Sequence, residues 1–406
     1  MKFKLNRGLI KGGITLLIAF GFYNLFNFLY QFSMARMLTV SDYGILAAIF
    51  SLIYILSAFT ESIQIIITKY SSGEGDGRLK NILKRSLRKA GYLSLFIFFI
   101  YLGLSFFISD LMNIEYSLLA ISGFIIFTSV LSPVTRGVFQ GQKRFFSLGL
   151  NMIFDSGIKL LVGIFFVFLG WRVYGALTGV LIGSVVAFGF SLIGLKDVFS
   201  VTEKRIETKD IYTYAGPAFF VIFLVVIFYS LDVLMAKALF SEEMAGSYAL
   251  ASILGKIIFW GTMPIGKAMF PMTSDKKQEK KKNIFINSVG IVVLGIIILL
   301  AAFYFFPGSI IKVFSGKDVP EAASVLFFVG AGMGLISLAN LILLYGLSLG
   351  KFKGIYLLVT FIFIEIFLLS FFSGSLMEFS LAFVVASALF LIGSLVFLLK
   401  NKSKHI

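Results

Sequence analysis

The stretch IFINSVGIVVLGIIILLAAFYFF, residues 284–306, contains no charged side chain. A spanning helix needs roughly 20 mostly apolar residues to cross a hydrocarbon core of about 30 Å, so this stretch satisfies the requirement alone. Eleven more of the same kind lie near 12–35, 43–69, 90–109, 116–139, 145–169, 173–195, 211–238, 245–271, 321–348, 354–372 and 378–399. Runs of Phe, Ile and Leu at this length predict helices, which satisfy their own backbone hydrogen bonds in lipid, rather than the alternating strands of a barrel. The expected fold class is therefore an all-α polytopic membrane protein with 12 transmembrane helices.

Composition points the same way. Of the 406 residues 59% are hydrophobic and only 14% charged, against about a quarter charged in a soluble domain. The short loops leave no room for a soluble domain, so any chemistry belongs inside the helix bundle or on it. With no cysteine, and with the one histidine, His405, in the tail, no cofactor and no metal site is expected. The first span follows Lys2, Lys4, Arg7 and Lys11, as a signal peptide would, but it is too long and lacks a small-residue cleavage site. It reads as a retained helix.

The net charge of +16 matters less than its placement. With the N-terminus inside, only Arg36, Arg172, Lys312 and Lys317 fall on the far side, while Arg136, Lys159, Lys237, Lys256 and Lys267 lie within or at the ends of spans. The other basic residues gather on the near side, which predicts a multi-pass cell-membrane protein with both termini cytoplasmic. Runs such as Lys276-Lys277 and Lys280 to Lys282 border spans directly, a placement that fits anionic lipids as partners and not nucleic acid.

Two halves resemble each other. Ala-Arg-Met-Leu at 35–38, then Asp42, Tyr43 and Gly44, is matched by Ala-Lys-Ala-Leu at 236–239, then Glu242, Glu243 and Gly246. The segment Gly137 to Arg144 (GVFQGQKR) ends the fourth span as Gly346 to Lys353 (GLSLGKFK) ends the tenth. Six helices per half return the chain to its starting side, which predicts two six-helix lobes, 1–195 and 211–406, related by a parallel pseudo-two-fold repeat, with 196–210 as a cytoplasmic linker.

The string ARMLTVSDYGIL (Ala35 to Leu46) after a basic N-terminal stretch resembles the polysaccharide transporter family of oligosaccharide flippases, within the multidrug/oligosaccharidyl-lipid/polysaccharide exporter superfamily. Tyr-Ala-Gly-Pro at 214–217, Ala-Met-Phe-Pro-Met at 268–272 and the two Gly-x-x-x-Gly exits extend the resemblance over the whole chain. It implies helices around a central cavity and movement of a polyprenyl- or dolichyl-(pyro)phosphate-linked glycan to the outer leaflet by alternating access. A monomer is expected. The multidrug exporter type of the same superfamily is the first alternative and a polytopic glycan polymerase or ligase the second. The latter lacks support: the external loops are short and no metal cluster or phosphate-cradling loop is present, since Gly73, Gly75 and Gly77 are followed by no helix-opening Lys-Ser or Lys-Thr. No enzymatic activity is expected.

Ionisable residues inside spans cost roughly 2.5–3.5 kcal/mol each on insertion scales and so face a cavity or a partner. Lys256, mid-span in the eighth helix, fits a cavity-facing site for carrier phosphate or a buried pair with a neighbouring carboxylate. Asp155 and Lys159, four apart, fit either an intrahelical pair or a pair that opens so that Lys159 takes phosphate. Arg136 fits head-group snorkelling or an entry site where a guanidinium grips pyrophosphate. Glu61, Glu365, Asp155 and Asp232 are candidates for coupling to protons or sodium, with Glu61 and Glu365 alternatively matched to Lys256 or Lys159 across helices. Asn24, Asn27 and Gln31 form one polar stripe on the first helix, fit for sugar hydroxyls or for helix contacts. Pro133, Pro217 and Pro264, all inside spans, are candidate hinges or static kinks.

Overall fold

The computed structural model describes residues 7–72, 74–204, 212–274, 280–351 and 354–400, with the side chains of 7–14, 57–59, 61, 76, 212–218 and 400 outside the described set. The chain runs through α1 (Arg7–Met37), α2 (Val40–Ser71), α3 (Asp76–Met112), α4 (Tyr116–Gly123), α5 (Ile125–Gly141), α6 (Phe145–Phe166), α7 (Arg172–Ile193), α8 (Lys196–Ser200), α9 (Tyr212–Leu239), α10 (Glu242–Ser274), α11 (Lys281–Phe305), α12 (Pro307–Ser315), α13 (Pro320–Ser348), α14 (Val359–Phe371) and α15 (Leu376–Lys400). No strand occurs among the described residues.

Eight helical stretches among the described residues are long and apolar enough to cross a membrane. One of them, 145–193, is two helices, α6 and α7, joined through a π-helical turn at Val167–Trp171. There Gly170 takes φ +87° and Arg172 φ +47°, left-handed geometry that reverses the chain and that glycine tolerates without a Cβ clash. Counting α6 and α7 apart and adding α1, α2 and α14 accounts for all twelve expected segments. Phe96, Phe99, Phe106 and Phe107 on α3, and Ile291, Leu294, Ile297 and Ile298 on α11, are exposed. Such apolar faces belong against lipid, where they meet no water.

Contacts divide the chain into two units. The first comprises Met1–Leu38 and Leu56–Ala215, the second Thr39–Ile55 and Gly216–Ile406. Helix α2 is therefore divided, its first half packing with the later helices. Inside each unit the packing order repeats: α3 lies on α5 as α11 lies on α13, α5 on α7 as α13 on α15, and α6 on α7 as α14 on α15.

In the first unit small residues set the approach of helices, as is common where apolar association adds little in lipid. On α7, a Cβ on Gly179 would stand 2.5 Å from Gly163 Cα, and one on Gly183 2.8 Å from Asp155 O and Lys159 N. The α6–α7 crossing is thus backbone against backbone. Helix α3 starts at Asp76, well ahead of residue 90, and its 37 residues reach about 55 Å at 1.5 Å per residue. The projecting turns bind the start of the expected linker: Lys80 Nζ donates to Phe199 O (2.7 Å) and Val201 O (2.8 Å), and Lys204 N to Gly77 O (2.9 Å). Residues 205–210 of that linker lie outside the described residues.

In the second unit the two repeat motifs meet. A Cβ on Gly44 would stand 2.8 Å from Gly246 Cα, and Ser41 Oγ donates to Glu242 Oε2 at 2.8 Å. Farther along the same two helices, Tyr54 packs edge-on to Trp260 with ring centres 5.9 Å apart. Aromatic stacking ties the rest together, as between Phe228 and Phe390 at 4.5 Å and Phe285 and Tyr345 at 4.2 Å. Pro133 and Pro264 sit within continuous helices α5 and α10, and Pro217 falls in α9 with its side chain outside the described set.

Candidate substrate and coupling sites

The first unit carries a half-buried polar cluster on α1, α5 and α6. Asn151, Asp155 and Lys159 follow at four-residue steps and so share one face of α6. Arg136 of α5 lies across that face, its Nε donating to Asn151 Oδ1 and its Nη2 to Asp155 Oδ2, both at 2.7 Å. Asn151 Nδ2 donates in turn to Ala187 O of α7 at 2.6 Å, which holds the amide in place. Lys159 turns to α1: it donates to Asn27 Oδ1, and its ammonium lies 4.8 Å from the centre of the Tyr30 ring. The Tyr30 hydroxyl is held by Ala176 O at 2.8 Å.

Asp155 and Lys159 therefore do not form the intrahelical pair that their spacing allows. A planar guanidinium presents a fixed fork to the carboxylate, and the ammonium finds an amide oxygen and an aromatic face instead. Nor does Arg136 snorkel; it is turned sideways onto α6. Among the described side chains two cations face one carboxylate, leaving one positive charge in excess. Arg136 and Asp155 keep 15% and 22% of their side-chain surface exposed. Arg136 Nη1 has no protein partner among the described residues.

The first-helix stripe divides. Asn27 joins the cluster while also donating to Tyr23 O at 2.8 Å. Asn24 is exposed and donates to Phe20 O of its own helix at 2.9 Å, and Gln31 is half-buried. The Glu61 side chain lies outside the described residues.

The second unit holds a dry cluster on α9, α10 and α14. Asp232 and Glu365 are fully buried and Lys256 is 3% exposed. Lys256 Nζ stands 3.5 Å from Asp232 Oδ1 and 5.9 Å from the centre of the Tyr229 ring. Asp232 Oδ2 accepts from Ser252 Oγ at 2.6 Å and from the Tyr248 hydroxyl at 3.4 Å. Neither carboxyl oxygen of Glu365 has a hydrogen-bond partner among the described residues, though the charges of both Asp232 and Lys256 reach it. Lys256 is thus the buried partner of a neighbouring-helix carboxylate, not a cavity-facing cation. With both carboxyls ionised, the cluster carries one negative charge in excess.

Asn151, Tyr248 and Ser252 were not singled out in the sequence. Their signal is the same in both cases: polar residues at four-residue steps ending on a lysine, 151–155–159 and 248–252–256. Each step taken alone looks like an ordinary small polar residue in a span.

A family model described as polysaccharide biosynthesis protein matches residues 9–277. The chain belongs to that family. The matched region includes the whole first-unit cluster together with Asp232 and Lys256, whereas Glu365 lies beyond it. No curated protein sequence matches the chain. Among solved structures, the lipid II flippase MurJ in an inward closed conformation aligns with a TM-score of 0.72 at 15% identity, over 94% of this chain and 87% of that one. The MATE multidrug transporter DinF-BH aligns with a TM-score of 0.68 at 17% identity, over 98% and 96%. A MATE structure in the bent conformation gives 0.65 at 15%, over 96% and 94%. At these identities the likeness is one of fold. The chain thus joins membership of this family to the multi-pass helical membrane fold that MurJ and the MATE transporters share.

Proposed function

We propose that the protein is a flippase moving lipid-linked oligosaccharide or polysaccharide repeat units from the cytoplasmic to the outer leaflet by alternating access, with both termini cytoplasmic. The observation that carries this reading is the Arg136–Lys159 cluster, which has one surplus positive charge, exposed enough to meet a ligand, in a family of polysaccharide biosynthesis. A polyprenyl- or dolichyl-linked (pyro)phosphate supplies the anion. A guanidinium with an unused N–H edge suits it, because charge-assisted bonds from Arg to phosphate are strong and directional. Asn24, Asn27 and Gln31 supply uncharged contacts on the same side of the cluster.

The second-unit cluster takes the coupling role. Its surplus negative charge is balanced by one proton or one sodium ion, and Asp232, Glu365 and the first-unit acids Asp155 and Glu61 are the groups that would carry it. Lys256 acts there as a fixed countercharge. The lobes 1–195 and 211–406 move through bends at Pro217, Pro133 and Pro264, and Lys280 to Lys282 at the start of α11 meet anionic lipid, Lys276 and Lys277 lying outside the described residues.

The test is translocation of a fluorescent lipid-pyrophosphate oligosaccharide in proteoliposomes, under proton and sodium gradients in turn. The intact chain should transport it, and Arg136→Ala, still monodisperse, should lose at least about ten-fold in rate, the worth of one charge-assisted bond. Gradient-driven efflux of small organic cations, with no glycolipid movement, would replace this reading with that of a multidrug exporter.

A further inference from the structure

The amides of Gln64 and Gln140 belong to neither cluster. They sit where the GVFQGQKR exit crosses α2 inside the first unit. A Cβ on Gly137 would stand 2.7 Å from Ile67 Cβ and 2.9 Å from Gln64 O, and one on Gly141 2.6 Å from Thr68 O. This backbone approach sets the two glutamines side by side. Gln64 Nε2 donates to Gln140 Oε1 at 2.9 Å, and the Thr68 hydroxyl lies 3.3 Å from the same oxygen.

Both glutamines are half-buried. The pairing uses one group of each amide, and the remainder faces no protein partner among the described residues: the Gln140 amide nitrogen is a free donor and the Gln64 amide oxygen a free acceptor. Gln140 follows Arg136 by one turn on the same face of α5, about 6 Å away. Next to an anion-binding guanidinium there is thus an uncharged, planar donor–acceptor pair. A second phosphate would set its negative oxygens against the Gln64 amide oxygen, and an alkyl chain would leave both amides unsatisfied. Hydroxyl and acetamido groups match them.

We propose that Gln64 and Gln140 form a saccharide subsite that binds the sugar joined to the phosphate held at Arg136. The proposal rests on the lipid-linked glycan reading above. It explains why the Gly-x-x-x-Gly exit carries glutamine at its third variable position: the glycines bring the helices together, and the glutamine uses the resulting closeness to α2.

The experiment measures binding of two probes to the full chain in nanodiscs, polyprenyl pyrophosphate and polyprenyl-pyrophosphoryl-N-acetylglucosamine. The intact protein should bind the glycosylated probe more tightly. In Gln64→Leu/Gln140→Leu, which removes both partners and so leaves no amide unpaired, that preference should fall on the order of ten-fold, as two ordinary hydrogen bonds imply. Arg136→Ala should weaken both probes together. A preference unchanged in the double variant overturns the subsite, and so does an equal loss for both probes, which marks a packing contact. If the leucine pair does not fold, Gln140→Asn, one methylene shorter, is read by the same ratio and judged by the same outcomes. An intact chain that binds neither probe fails at an earlier step and removes the glycan reading along with the subsite.

Discussion

The polar clusters of the two units are built on the same plan and end with opposite character. Each rests on a helix with polar residues at four-residue steps closing on a lysine, Asn151–Asp155–Lys159 on α6 and Tyr248–Ser252–Lys256 on α10. In the first unit a second cation, Arg136, enters from α5 and the group stays partly exposed. In the second, Asp232 and Glu365 enter from α9 and α14 and the group is closed off. A stripe on one helix thus does not decide what a membrane site can do; the neighbouring helices supply the sign of the charge and the access of water.

Several substitutions can break that contrast or sharpen it. The largest effect belongs to Lys256→Met, which strands two carboxyls in a dry site and should cost about 3–5 kcal/mol. Denaturant unfolding in micelles measures it, and adding Asp232→Asn should recover much of the loss. Wild-type stability in Lys256→Met would mean that the cluster is wetter than its burial indicates. Next comes Gly179→Val, whose branched side chain has no room against Gly163. Overpacking of this kind costs about 1–3 kcal/mol, and because it pushes α7 off α6 it should also weaken polyprenyl pyrophosphate binding.

Arg136→Ala should cost about 1.5–3 kcal/mol in stability, the range for hydrogen bonds to charged groups, less than Lys256→Met because its partners stay partly exposed, and it should lower transport at least about ten-fold. Arg136→Lys should restore only part of the rate, since an ammonium cannot reproduce the fork that spans Asn151 and Asp155. An Arg136→Ala variant as unstable as Lys256→Met would erase the difference between the two clusters.

The smallest effect concerns the strap at 196–204. The Asn81 amide donating to Glu203 holds that carboxyl below the usual range, and Arg144 does the same for Asp197. Carboxyls depressed in this way stabilise the folded strap above the ordinary carboxylate range, and the benefit is lost as the pH falls through the lowered values. A nitroxide at Thr202→Cys, unambiguous in a chain with no native cysteine, should become more mobile on acidification. Glu203→Gln should give a similar mobility at neutral pH. An immobile label under both conditions would assign the strap to Lys80 and the Lys204 backbone bond alone.

Much of the molecule was legible in its letters. The twelve apolar segments emerge as helices because backbone groups in lipid have no other way to be satisfied. The basic exits and the paired Ala-Arg-Met-Leu and Ala-Lys-Ala-Leu motifs marked helix ends, and the intramembrane charges Arg136, Asp155, Lys159, Asp232, Lys256 and Glu365 drew attention on cost alone. Their pairing was not legible. Asp155 had Lys159 four residues away and took Arg136 from α5; Lys256 had no partner on its own helix and found Asp232 on α9.

Chain-local physics therefore determined which segments are helical, where they end and which side chains are too expensive to face lipid, because these depend on residue type and spacing along one helix. Only the tertiary structure decided that α2 divides between two units, that Gly44 meets Gly246, and that one cluster is half-open with two cations on one carboxylate while the other is buried with one cation between two carboxyls. Those outcomes depend on which helices lie side by side. That is set by shape and close packing between segments far apart in sequence, which leaves no periodic trace in either one.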